Sequence, residues 1–294
     1  MNDGDGFISL SKARISIVGL GLMGASLALD LRGHCAEIIG VSRSQETLNY
    51  ALEHGMVDRV TDFEQALDCD LLVLAAPIRT IIQQLKEMSA FSYGALISPK
   101  TVVVDMGSTK TEIVQAMQDL PARFDPIGGH PMCGKEVAGI QYAEAGLYRK
   151  QTFVLSKLER TSPSALALVQ EMIDVIGARP LMLTPEKQDE LVAIISHLPY
   201  LVAAALVRTA IAKDDPQLWD VAASGFRDTS RLAASDLTMM LDILLTNRES
   251  ILDALKSYRV EIDTLTALVE SGDEEALRAA LTPGQQKRAQ MFKG

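Results

Sequence analysis

Lysine and arginine are in short supply in this chain: 28 stand against 38 acidic residues over 294 positions, with no dense basic run. No stripe for nucleic-acid phosphates can form, so DNA and RNA are excluded as expected partners. Cysteine is scarcer still. Cys35, Cys69 and Cys133 are scattered without CxxC spacing and are odd in number. Neither a closed disulfide framework nor a metal ligand set is expected, and a reducing cytoplasm fits best. Long apolar runs are missing too. LLVLAAPI (71–78) and LPYLVAAALV (198–207) fall short of the roughly 20 residues that span a bilayer, so no membrane insertion is expected. The opening MNDGDGFISLSKAR carries acids where a secretory leader has bases, which argues against export. Apolar side chains, by contrast, make up 48% of the chain. That is ample for a core, and the length suggests two domains.

The first half alternates β-rich runs with helical segments: RISIVG (14–19), EIIGVS (37–42), DLLVLAA (70–76), TVVVDM (101–106), FDPIGG (124–129) and TFVLS (152–156). This is the pattern of a parallel sheet covered by helices, its strands apolar enough for burial on both faces. ARPLMLTPE (178–186) reads as a last strand, ended by Pro185. Beyond it the periodicity predicts only helices, at about 187–212, 217–224, 236–247, 247–271 and 273–281. The expected fold class is α/β: a doubly wound sheet domain over 1–184, then an all-α domain over 185–294. LVAIISHLPYLVAAALV (191–207) is apolar nearly all round and must be buried on every side, which points to subunit packing and a homodimer.

GLGLMG follows the first strand and opens a helix. Gly19, Gly21 and Gly24, with Leu22 and Met23 between them, permit a tight turn, approach of a pyrophosphate to backbone N–H groups, and close helix–strand packing. In this context the string predicts a Rossmann-type dinucleotide site. At the end of the second strand, where NAD sites usually place an acid, stand Ser42, Arg43 and Ser44. Arg43 can pair with a 2′-phosphate, so NADP is preferred and NAD stays possible; otherwise Arg43 is a solvated loop cation. Ala76 and Pro77 in AAPI let backbone approach the cofactor, although a loop of small residues packed for steric reasons explains them equally.

DMGSTK (105–110) follows the fourth strand, so Ser108 and Lys110 should face the ligand crevice; a helix N-cap at Ser108 or Thr109 is the plainer reading. His130 lies in GGHPM, where Gly128, Gly129 and Pro131 are expected to fix an extended turn presenting the imidazole to the same crevice. An imidazole there can take the proton of an alcohol as hydride leaves the same carbon, which is dehydrogenase chemistry.

Taken in order, GLGLMGASLALDLR, DMGSTK, GGHPMCG, ISHLPY and SGFRDTSR resemble the prephenate/arogenate dehydrogenase family of tyrosine biosynthesis over nearly the whole chain, and most of all its NADP-dependent, arogenate-using branch. The resemblance implies oxidative decarboxylation of a cyclohexadienyl ring, with His130 as catalytic base and Ser108 supporting it. It also implies that Arg231 binds a substrate carboxylate, a role that a bidentate guanidinium suits. Arg227 is an auxiliary candidate, with an ion pair to Asp228 as its alternative. Ser196 and His197 match family positions. Tyr200 stands where some members have a second histidine, and Met240 where some prephenate enzymes carry Trp. In a regular helix Ser196 and Tyr200 share a face and His197 turns away from it. Glu136 is a candidate partner for the amino group of arogenate, unless Lys135 neutralises it. Two other readings stay open. One is a β-hydroxyacid or phosphogluconate-type dehydrogenase, although PEKQDELVAIISHLPY lacks that group's glycine-rich helix start. The other is a non-catalytic NADP sensor.

Overall fold

The computed structural model describes residues 8–90, 100–135 and 137–291. Eight strands form one sheet: β1 (Arg14–Val18), β2 (Glu37–Val41), β3 (Arg59–Val60), β4 (Leu71–Leu74), β5 (Thr101–Asp105), β6 (Phe124–Pro131), β7 (Thr152–Lys157) and β8 (Arg179–Met182). Their spatial order is β3-β2-β1-β4-β5-β6-β7-β8. The first six are parallel neighbours in the 3-2-1-4-5-6 order of a dinucleotide-binding sheet. The intervening helices are α1 (Leu22–Leu31), α2 (Gln45–Glu53), α3 (Phe63–Ala66), α4 (Ile78–Ala90), α5 (Thr111–Gln118) and α6 (Pro163–Val175).

Alternation along the strands builds two cores. Ile17, Val73 and Val104 pack with the apolar faces of α1 and α6. Val18, Leu72, Leu74 and Val103 pack with those of α4 and α5. Strands covered on both faces read as continuous apolar runs, which is why they stand out in the sequence.

The sheet is not parallel throughout. β7 runs antiparallel to β6, with His130 opposite Val154, and β8 follows β7 in parallel. Nor is every strand buried. β8 is an edge strand whose Leu181 and Met182 are 45% and 42% exposed, since no strand among the described residues pairs with its outer side.

After β8 the chain is helical: α7 (Pro185–Val192), a π-helical turn (Ala193–His197), α8 (Leu198–Ile211), α9 (Gln217–Asp220), α10 (Ser224–Ser230), a 3-10 turn (Arg231–Ala234), α11 (Leu237–Thr246), α12 (Arg248–Ser271) and α13 (Glu274–Met291). The chain divides into two compact units, Met1–Asn247 and Arg248–Gly294. The change from strand to helix at residues 182–185 therefore falls inside the first unit. Asp242 of α11 accepts from the Arg79 backbone N–H (3.2 Å) and Nε (2.5 Å), and the Thr109 and Thr246 hydroxyls meet at 2.8 Å.

Among the described residues Pro185–Ile211 forms a helical run of 27 residues, long and apolar enough by length and composition to cross a bilayer. The short apolar runs of the sequence had pointed to none. They merge here because the π turn continues one helix into the next. Ile195 (62% exposed), Ile211, Val221 (78%), Leu237 and Leu245 stand outward on the helices of this unit.

Candidate active site

Parallel strands bring their carboxyl ends to one edge of the sheet, and the predicted loops meet there. Gly19 has φ +104°, and a methyl group on it would lie 2.6 Å from the Ala75 carbonyl oxygen. A methyl group on Gly24 would lie 1.9 Å from the carbonyl oxygen of Gly19. These two glycines thus serve backbone packing. Gly21 differs: a methyl group there meets nothing within 4 Å, and Gly21 caps α1 without a side-chain hydrogen bond. Open space in front of an uncapped helix N-terminus fits a dinucleotide pyrophosphate. Leu22 is buried, so only its backbone can face a ligand, while Met23 is half-buried.

The contrast makes a prediction. Gly24→Ala should cost about 1–3 kcal/mol of stability through overpacking. Gly21→Ala should leave the melting temperature unchanged and weaken nicotinamide-cofactor affinity by roughly tenfold. Thermal melts and a cofactor fluorescence titration check both, and equal effects on stability would remove the distinction.

At the end of β2, Ser44 caps α2 by accepting from the Thr47 N–H, and Ser42 Oγ accepts from the Ser44 N–H. Arg43 between them is exposed and has no acidic partner among the described residues. Ala76 and Pro77 follow β4 at the partly open rim.

His130 lies within β6 rather than on a turn beyond it. Its neighbours Gly128 and Gly129 have no positive φ; they are small because the adjoining strands and the helix α5 leave no room. A methyl group on Gly129 would lie 2.5 Å from the Asp105 carbonyl oxygen, and one on Gly128 2.9 Å from a Val114 methyl. One ring nitrogen of His130, Nδ1, is 2.5 Å from the Gln188 carboxamide Nε2. Burial, then the Lys110 ammonium, then His197 push the imidazole down to about 3. Burial also pushes His197 down to about 4. Both rings are neutral near pH 7. Cys133, three residues on, offers no competing nucleophile, because burial pushes its thiol up to about 11.

Beneath His130 lies a fully buried ion pair, Asp105 with Lys110. Burial drives the Asp105 carboxyl up and the Lys110 ammonium down from their ordinary values, and their attraction opposes both shifts. Asp105 also accepts from the N–H groups of Gly107 (2.8 Å) and Gly129 (2.9 Å), tying the loop after β5 to β6. Lys110 is therefore a structural cation and does not reach the crevice. Neither Ser108 nor Thr109 caps α5. Lys110 is the N-cap residue, and the Asp189 carboxylate of α7 accepts from the N–H groups of Lys110 (2.7 Å) and Thr111 (2.8 Å). Ser108 is left half-buried at the crevice edge, its hydroxyl without a hydrogen-bond partner among the described residues.

The π turn sorts the next candidates differently from a regular helix. His197 and Tyr200 are buried and Ser196 is exposed, because the wider turn rotates the residues after it. His197 Nδ1 lies 3.2 Å from Asn247 Nδ2, which also donates to the Asp189 carbonyl. Tyr200 and Met240 share an apolar cluster. Arg231 opens the 3-10 turn that packs on α8 and is exposed in the single chain. Arg227 pairs with Asp228 at 3.1 Å. Lys135 pairs with Glu144, and Glu136 lies outside the described residues.

The structure thus brings His130, His197 and the buried Asp105–Lys110 pair together, with the nucleotide loops along the same sheet edge. Gln188, Asp189 and Asn247 join them without having been singled out in the sequence. The polar pair Gln188-Asp189 just ahead of a long apolar run was the available signal.

Residues 27–189 match the family description "Prephenate dehydrogenase, nucleotide-binding domain", and residues 184–283 match "Prephenate dehydrogenase, dimerization domain". Prephenate dehydrogenase of Bacillus subtilis (strain 168) is 33% identical over 273 residues, 90% of this chain and 72% of that one. Among solved structures, prephenate dehydrogenase from A. aeolicus, in complex with hydroxyphenyl propionate and NAD+, aligns with TM-score 0.88 at 32% identity, covering 97% of this chain and all of that one. Synechocystis arogenate dehydrogenase aligns with TM-score 0.82 at 33% identity, covering 95% and 100%.

Proposed function

The chain belongs to the prephenate dehydrogenase family, and from that premise we propose that it oxidatively decarboxylates a cyclohexadienyl substrate, arogenate or prephenate, with NADP preferred over NAD. The observation that carries the reading is His130, a neutral imidazole with Nδ1 engaged, on the sheet edge that also carries the nucleotide loops. When bound there, the cofactor supplies the acceptor for the hydride of the ring carbon that bears the hydroxyl. Nε2 of His130 takes the hydroxyl proton, and loss of the opposite carboxyl as carbon dioxide makes the ring aromatic, so the protein's main task is orientation. Ser108, whose hydroxyl has no partner among the described residues, hydrogen-bonds at the reacting centre. Arg231 holds a substrate carboxylate. His197 and Tyr200 line the ring's pocket from the helical side, with Ser196 at its rim, and the carboxylate of Glu136 is the partner for the amino group of arogenate.

Arg43, exposed and without an acidic partner among the described residues, is the support for NADP: a 2′-phosphate would supply the opposite charge. The outward apolar residues of the helical segment, among them Ile195, Val221 and Leu237, support a homodimer, since a patch of that character calls for cover. A sedimentation-equilibrium mass of one chain at micromolar concentration overturns it. Free Cys35, Cys69 and Cys133 suit a cytoplasmic enzyme.

The deciding experiment is a steady-state assay of reduced nicotinamide with arogenate and prephenate, each crossed with NAD and NADP. Turnover is expected with arogenate and NADP. Turnover with prephenate alone removes the substrate preference, equal rates with NAD remove the role of Arg43, and no turnover in any combination overturns the reading.

A further inference from the structure

We propose that Gln188 is a positioning residue that fixes His130 as its Nδ1–H tautomer, leaving Nε2 as the ring nitrogen open to a substrate proton. The inference rests on the base role proposed for His130. Gln188 is only 1% exposed, and its backbone N–H donates to the Thr184 carbonyl within α7. Its carboxamide meets Nδ1 at 2.5 Å through Nε2. The next residue holds the helix in place. Asp189 accepts from the Lys110 and Thr111 N–H groups, and its carbonyl accepts from Asn247 at 2.8 Å. Two of these hydrogen bonds tie α7 to the segment after β5 and the third ties it to Asn247, so α7 cannot slide without breaking them.

A carboxamide offers an NH2 donor and, after a half-turn, a carbonyl acceptor at the same place. With NH2 toward the ring, Nδ1 is the acceptor, the neutral imidazole carries its proton on Nε2, and no base faces the crevice. With the carbonyl toward the ring, Nδ1–H donates to Gln188 and Nε2 keeps a free lone pair. Only the second arrangement serves proton acceptance, and it persists after the ring has been protonated.

The groups facing the ring explain why a neutral partner matters. Lys110 and His197 act on it electrostatically. Asp105 accepts from the N–H of Gly129, the residue before His130, and its charge is matched by Lys110. Asp189 is turned to the N-terminus of α5. A carboxamide orients the ring without adding the negative charge that would stabilise an imidazolium.

The test is 15N NMR of histidine-labelled protein, with the His130 signals assigned by their loss in His130→Asn. The wild-type ring is expected as the Nδ1–H tautomer, and Gln188→Leu should shift it toward Nε2–H. The same variant should lower kcat by about tenfold or more, with the KM of the cofactor unchanged. Gln188→Glu should keep the tautomer, retain turnover, and move the acid limb of the kcat/KM profile upward by about one pH unit. A wild-type Nε2–H ring, or an unchanged tautomer in Gln188→Leu, overturns the proposal. So does an unmoved acid limb in Gln188→Glu. Near-normal turnover in His130→Asn would instead remove the base role, a failure the tautomer measurement separates from this one.

Discussion

Replacing His130 by asparagine should lower kcat by about a hundredfold or more, while cofactor affinity and the melting temperature stay close to those of the parent. The magnitude is that of a lost general base. The fold should tolerate the change because the side chain is shorter and its backbone remains paired with Val154 of β7. The pH dependence follows from the same site. Burial, Lys110 and His197 lower the ring's pKa from its ordinary value to about 3. A base works in its deprotonated form, so activity should persist below pH 6.5 and be lost as pH falls through the lowered value. An anionic substrate offsets the push of Lys110 and brings that limb upward. A variant with near-parental kcat, or a parental acid limb above pH 7, would remove His130 from the chemistry.

The second large effect concerns stability. Asp105→Ala should cost about 3–5 kcal/mol, because it leaves a buried ammonium without its counter-charge. It also strips acceptors from the Gly107 and Gly129 N–H groups. Urea unfolding of the cofactor-free protein measures the loss. A double variant, Asp105→Leu with Lys110→Met, should recover part of it, since an apolar pair of similar volume avoids the desolvation of two charges. A single variant that loses less than about 1 kcal/mol would show that the pair is not the clamp described above.

How legible the molecule was depended on whether a feature is local. β1, β2, β4 and β5 lie buried on both faces and stand out as apolar runs. β3 has two residues, Arg59 and Val60, too few for any alternation to register. The reversal at β7 leaves no mark because an apolar run reads alike in either direction. α10 was missed since SGFRDTSR has no apolar stripe, and the π turn because its spacing is set by packing rather than composition.

At the site, the glycine string, Ser108 and His130 carry their meaning in short motifs. Gln188 and Asn247 do not. Each is one polar residue in a helical stretch, and each becomes notable only once the helices place it against a residue 58 or 50 positions away. Lys110 was legible as a charge at the crevice, yet the tertiary structure turned it inward to Asp105.

The placement of His130 inside a ladder makes its side of the sheet a matter of parity. Strand residues alternate faces with period two, so one inserted or deleted residue in β6 would send the imidazole to the opposite core. The 20 residues between Pro131 and Thr152 are under no such count, because the pairing of β6 with β7 is fixed by the rungs and not by the length of the connection. Contacts rather than parity hold that connection: the Glu144 and Gly146 N–H groups donate to Ser26 and Asp30 of α1, and the buried Tyr148 hydroxyl donates to the Met23 carbonyl. Any variation in its length should therefore fall outside residues 140–148.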